Sequence, residues 1–212
     1  QRSSIMTRVP AEDVQAELMA FTDSYTDVIS QAIDRISREI PEQRRLLHNA
    51  KLRNVCLAEA NLESSNFFGA DMRGADLSGA NLRAINSERS QGTSPIVMES
   101  ANLTGADVTG GFLTRSNLRQ ANLNNANLTS ANLSEADLFK AQINEANLRH
   151  ANLSMARLRM ADCSQGNFDG ANLSGVDLTM AKLAQAEFVN ADLHLADFTD
   201  VDFADINMKG AN

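Results

Sequence analysis

Large apolar residues recur every five positions along most of this chain. Leu, Phe or Met occupies positions 52, 57, 62, 67, 72, 77 and 82. From Leu103 to Met208 the spacing of five continues through twenty-two positions, mostly Leu with Val108, Ile143, Cys163 and several Phe. A second series of small residues runs two positions ahead: Ala50, Ala60, Ala70, Ala75, Ala80, Ala101, Ala106, Ala121 and onward. Of its 29 members, 21 are Ala. The motif reads A-[DN]-L-x-x. A period of five fits neither a helix at 3.6 nor a strand at 2, so the chain has to turn within every repeat. In extended backbone, residues two apart share a face, which puts Ala50 and Leu52 inside and Lys51 outside. The next inward pair begins three residues after Leu52 and leaves a short corner. If each corner is near a right angle, four pentads close one coil, and coils stack about 4.8 Å apart. The 29 pentads then make about seven coils, a rod of roughly 35 Å.

A narrow tube has room for one large side chain per straight piece and needs a small one beside it, which accounts for the pairing of Leu with Ala. The outward positions hold Asn, Asp, Ser, Thr, Arg, Glu and Gln, and Ser is read as always lying outward or at a corner.

Two stretches leave the pattern. Residues 1–49 carry Pro10 with Glu12 and Asp13, then Val14, Leu18, Phe21, Tyr25, Ile29, Ile33, Ile36 and Ile40 at spacings of three and four. This predicts one or two helices. An open tube end exposes apolar side chains and strand edges, so these helices are assigned to capping the N-terminal mouth, with dimerisation or partner binding as the alternative. Residues 50–212 form the solenoid. Within it, the distance from Leu82 to Leu103 is 21, one more than four pentads, and segment 88–95 carries no motif but has Gly92 and Pro95. It is read as a small bulge or extruded loop that resets the phase, with a recognition loop as the sharper alternative.

Composition adds bounds. Ala, Leu and Asn fill 30, 23 and 21 of 212 positions, only 5% of residues are aromatic and no apolar run approaches a membrane span. The net charge of −8 disfavours direct nucleic-acid or anionic-membrane binding and suits a basic partner. Most of it lies in residues 159–212, which hold 9 acids and 3 bases. Cys56 and Cys163 have no metal or disulfide spacing, so two free thiols in a reducing compartment are expected, Cys56 outward and Cys163 buried and inert. His48, His150 and His194 fall too far apart to form one site. Gly110-Gly111 is read as a tight spot inside the tube rather than a phosphate loop. No catalytic, cofactor or metal residues are assigned. Ala211-Asn212 opens a further copy of the motif, which suggests that the repeats continue.

The run Ala131-Asn132-Leu133-Ser134-Glu135-Ala136-Asp137-Leu138-Phe139-Lys140, with its neighbours over about 50–87 and 96–212, resembles the pentapeptide repeat family. The resemblance implies an all-β solenoid, a right-handed quadrilateral β-helix, here with an N-terminal α-helical cap. It also implies a bacterial, cytoplasmic, non-enzymatic protein that binds a protein partner, with a homodimer through the helical cap or a solenoid end as the oligomer such a shape allows. Some members of the family resemble a DNA duplex in size and charge and occupy the DNA-binding saddle of bacterial gyrase. An alternative function is therefore a DNA mimic that modulates gyrase; a third is an enzyme domain beyond Asn212. Residues twenty apart occupy the same face, so Asp137, Arg157, Asp177 and Asp197 form one column, and Asp162, Lys182 and Asp202 another. The candidate interaction surface is Asp137, Asp177, Asp197, Asp162 and Asp202, with Glu88 and Arg89 of the interrupting loop. Family members use such projections to engage partners.

Overall fold

A computed structural model describes residues 47, 49–63, 65–67, 70–83, 85 and 95–212. The expected helical cap over 1–49, apart from Leu47 and Asn49, lies outside the described residues, as do Glu88 and Arg89. Leu47 stands five residues before Leu52 and is buried, and the Ala50 amide donates to its carbonyl at 3.1 Å. The repeat geometry is therefore already present at Leu47.

Each pentad is a three-residue extended piece followed by a two-residue corner. The middle residue of each piece forms a single parallel bridge to its counterpart one coil away, so the walls are ladders of isolated bridges rather than long strands. In one wall the Asn122 amide donates to the Ala101 carbonyl at 2.9 Å, and the Leu123 amide donates to the Gln142 carbonyl of the next coil at 2.7 Å. A straight piece within the stack thus bonds both neighbours, which satisfies its backbone without a second sheet. The bridges sort into four columns, which define four faces. Face 1 runs through Lys51, Asp71, Val97, Asn117, Asp137, Arg157, Asp177 and Asp197; face 2 starts at Cys56, face 3 at Asn61, and face 4 includes Phe112, Asn132 and Asn152. Seven steps along face 1 at about 4.8 Å give a wall of ~34 Å.

The corners close in one way throughout. The leading residue of the next pentad donates to the previous central carbonyl, as Ala126 does to Leu123 at 3.0 Å. The second corner residue takes positive φ in 21 non-glycine and 7 glycine cases, all near +55 to +75°. A turn that reverses direction this tightly needs φ > 0 at that place, and a side chain there costs about 1 kcal/mol or more relative to glycine.

Inside, the Leu and Ala series are buried up to Ala191 and partly exposed from Leu193 onward. Phe168 and Phe188, twenty residues apart, stack with centroids 4.8 Å apart and planes within 5°, the spacing of the coils themselves. Gly166 leaves room for this pair, because a Cβ there would come within 2.9 Å of the Phe168 ring. Gly111 likewise stands at a leading position, where a Cβ would meet Val108 Cγ1 at 2.9 Å. At the last coil Phe198 and Phe203 meet at 5.4 Å, and Phe203 is exposed.

Two expectations are adjusted. The interruption, read as a small bulge or extruded loop, adds more than the single residue its spacing shows. Asp71, Asp76 and Asn81 pair with Val97, Asn102 and Asp107, each 26 residues on instead of 20, so the coil holds six extra residues. They fall between the inward residues Ile85 and Ile96, and Leu82 is in register with Val108, not Leu103. One residue and six residues shift a five-residue phase equally, which is why the spacing of 21 could not tell them apart. The second correction concerns Ser: Ser65 and Ser116 occupy leading inward positions in place of Ala and are buried, and neither hydroxyl has a hydrogen-bond partner. Ser is only one oxygen larger than Ala, so the tube admits it sterically.

Candidate functional site: the outward columns

On each outward face, the middle Asn or Asp does more than meet solvent. Its Oδ1 accepts the amide two residues on, at 3.0 Å from Asn124 to Asn122 and 3.1 Å from Ser134 to Asn132. Asn and Asp suit this position because their short side chains reach their own backbone at that distance. Thr and Ser at the corner add a second bond, as Thr129 Oγ1 to Asn127 Oδ1 at 2.7 Å. The bias for Asn and Asp over other polar residues at the second motif position was the signal for this bond.

The predicted acids divide under this geometry. Asp137, Asp177 and Asp197 share face 1 with Arg157, as the spacing requires, and Asp162 bridges to Lys182 on face 2. Asp202 follows in phase but makes no bridge. Asp137 accepts the Phe139 amide and forms an ion pair with Arg119 at 3.0 Å, while the Arg119 guanidinium lies 4.4 Å over the Phe139 ring. Asp162 is met by Ser164 Oγ at 2.7 Å and by Lys182 Nζ at 3.4 Å, so Lys182 neutralises its column locally. Asp177, Asp197 and Asp202 each accept the amide two residues on, at 2.9 Å, and among the described residues none makes an ion pair.

Hydrogen bonds hold some carboxyls ionised. The Thr199 hydroxyl and amide, assisted by the Thr179 hydroxyl, keep Asp197 below the usual carboxylate range. At Asp107 burial pushes the pKa up, but Thr109 and Arg83 outweigh it and the net shift is downward. Glu135 is lowered by its bond to Arg115, 2.8 Å away. Burial pushes the Cys163 thiol far up, while Cys56 is exposed on face 2.

Ion pairs also follow a rule that a column of twenty does not contain. Arg53 pairs with Asp71 and Arg119 with Asp137, eighteen residues apart, because a corner residue reaches the wall residue of the next coil. Arg83 meets Asp107 at 24, the same offset plus the six extra residues.

His150 and His194 stand at different corners. The His150 ring lies over Gly170, where an added Cβ would come within 2.6 Å of Nδ1. Among the described residues no three His, Cys, Asp or Glu side chains are grouped to hold a metal ion, and no helix is long and apolar enough to cross a membrane.

The family profile described as pentapeptide repeats matches the chain in 8 copies, over residues 46–83 and, in overlapping stretches, from 101–138 to 177–212. Among solved structures, HetL resembles it at 33% identity over 77% of this chain and 82% of that one, with a TM-score of 0.49. HetL is a pentapeptide repeat protein involved in heterocyst differentiation regulation in the cyanobacterium Nostoc sp. strain PCC 7120. Full-length QnrB1, a plasmid-mediated fluoroquinolone resistance protein, superposes with a TM-score of 0.67 over 77% of this chain and 82% of its own, at 20% identity. No curated protein sequence matches the chain.

Proposed function

The chain belongs to the pentapeptide repeat family, and we propose that within it this protein is a non-enzymatic scaffold whose rigid walls bind a protein partner. The observation that carries this reading is the set of acids on the last coils, Asp177, Asp197 and Asp202, held in place by backbone amides and, among the described residues, in no ion pair. A preformed carboxylate array loses little conformational freedom on binding and steers a basic partner. A right-handed coil, an N-terminal helical cap over 1–49 and a contribution from Glu88 and Arg89 of the 88–95 loop complete the proposal, and a cytoplasmic setting suits the exposed Cys56 thiol. Affinity capture from the source organism tests it, with the intact chain, a chain lacking residues 88–95, and D177N/D197N/D202N. A stoichiometric partner that the triple variant loses is the expected result; no stoichiometric partner overturns the scaffold.

A second reading, a DNA mimic that modulates gyrase, is supported by Asp177 and Asp197 standing in adjacent coils of one wall, about 4.8 Å apart. Arg157 and Lys182 weigh against it by interrupting both columns. Stoichiometric protein that leaves gyrase supercoiling and its quinolone sensitivity unchanged removes this alternative.

A further inference from the structure

Twenty-three consecutive corners run from Ser100 to Gly210, each with positive φ at its second residue. Most of these residues are Gly or polar. Only four are large and apolar: Met155, Met160, Met180 and Leu195. Such side chains gain nothing from that backbone conformation, and none of the four is buried: they are 63%, 39%, 44% and 80% exposed. Their placement is not scattered. Met155 and Leu195 precede straight pieces of face 1, and Met160 and Met180 follow straight pieces of face 1; the other two corner edges carry none. An unfavourable choice repeated around one face, with no gain for the fold, points to use of that face.

A second observation lies between them. Arg157 takes a wall position where Asn or Asp elsewhere accepts a corner amide, a bond that Arg cannot make. It sits between Asp137 and Asp177 in the ladder, yet among the described residues neither it nor Arg159 forms an ion pair. Asp137 is already engaged by Arg119, and Asp177 by the Thr179 amide. Segment 155–160 therefore displays Met, Arg, Arg and Met outward while Ala156 and Leu158 point into the tube.

We propose that face 1 at Met155, Arg157, Arg159, Met160 and Met180 is a docking surface for an amphipathic segment of a partner protein that carries carboxylates among apolar side chains. The proposal rests on the scaffold reading and names where on the scaffold one contact is made. Charge selects the occupant. A wholly apolar segment would bury two guanidiniums without partners, and a basic one would be repelled by them. Asp177 repels a carboxylate set one coil too far along, and Asp137, paired with Arg119, gives it no free cation on the other side, so the arginine row fixes the register of the bound segment. The flexible thioethers of the three methionines supply an apolar border that adapts to the segment's side chains.

The test uses the full chain labelled at its methionine methyl groups and two synthetic amphipathic peptides of about 15 residues, one with Leu and Glu, the other with Leu and Lys. The acidic peptide is expected to move the Met155, Met160 and Met180 signals and leave buried Met72 and Met98 in place. R157E/R159E is expected to weaken it about tenfold, while R157K/R159K retains most of the affinity. Unmoved signals for Met72 and Met98 in the variants report an intact tube. The proposal is overturned if the acidic peptide leaves the three exposed methyls unmoved, if the Lys peptide or a DNA duplex moves them equally, or if charge reversal leaves affinity unchanged. Capture of a partner whose binding survives R157E/R159E overturns this placement and leaves the scaffold standing; capture of no partner overturns the scaffold itself.

Discussion

The coils that begin at Lys51 and those that end at Asp197 share one backbone but settle their charges differently. In the first, arginines meet acids of neighbouring coils, Arg53 on Asp71, Arg83 on Asp107, Arg115 on Glu135 and Arg119 on Asp137, and Arg73 meets Asp71 within its own pentad. Beyond residue 159 the ion pair among the described residues is Lys182 with Asp162, and Asp177, Asp197 and Asp202 are held by amides and hydroxyls. Since the interior is the same Leu and Ala ladder in both, the fold does not demand the difference. What a solenoid does with its surface is nearly independent of what holds it up.

That independence can be broken at the core. Leu128→Ala in the middle coils and Leu173→Ala in the acidic ones each empty a buried position and should each cost about 2–5 kcal/mol in the denaturant midpoint. A much smaller loss at Leu173 would mean that the acidic end is not held by the same interior. Ser116→Ala replaces a buried, unpartnered hydroxyl and should raise stability by about 1 kcal/mol by the same measurement.

At the surface the two regions should diverge. Asp71→Asn keeps the corner acceptor but removes two arginine pairs, and should cost up to about 1 kcal/mol, less in high salt. Asp177→Asn, which loses no ion pair, should leave the melting temperature unchanged or raise it slightly; an equal loss at both sites would erase the contrast. The smallest effect is expected on acidification. The carboxyls of Asp107 and Asp197 are held low in the folded chain. Their contribution is therefore present above the ordinary carboxylate pKa of about 3.9 and is lost as pH falls below it. Protonation of the unpaired acids relieves repulsion in the same range, so the denaturant midpoint should fall only slightly between neutral pH and the acid limb.

Much of this was legible in the residues. The spacing of five placed Leu52 through Phe188 inside and put Asp137, Arg157, Asp177 and Asp197 in one line, because a corner in every pentad leaves little choice of face. Other features were hidden for physical reasons. The six-residue insertion looks like one residue modulo five. The bond from Asp177 to the Thr179 amide is local and leaves no trace in a count of charges. The pairs at eighteen, such as Arg119 with Asp137, depend on how far a corner side chain leans, which periodicity does not encode. Ser65 and Ser116 stand in register with Ala, yet Ser is so common on the outside that its two inward copies were passed over.

The six extra residues between Ile85 and Ile96 have a consequence for how such a chain can change length. Across them Asp71 still faces Val97, and every later column stays in line. A pentad gained within the wall would behave otherwise: it would index all that follows by a quarter turn, carrying Asp177 and Asp197 to the neighbouring side while the interior remained filled. Length added between Ile85 and Ile96 leaves the later columns in line, whereas length in the wall is quantised and rotates the displayed surface like a combination dial. Insertion, and not substitution alone, is thus a route by which this rod could present a different face.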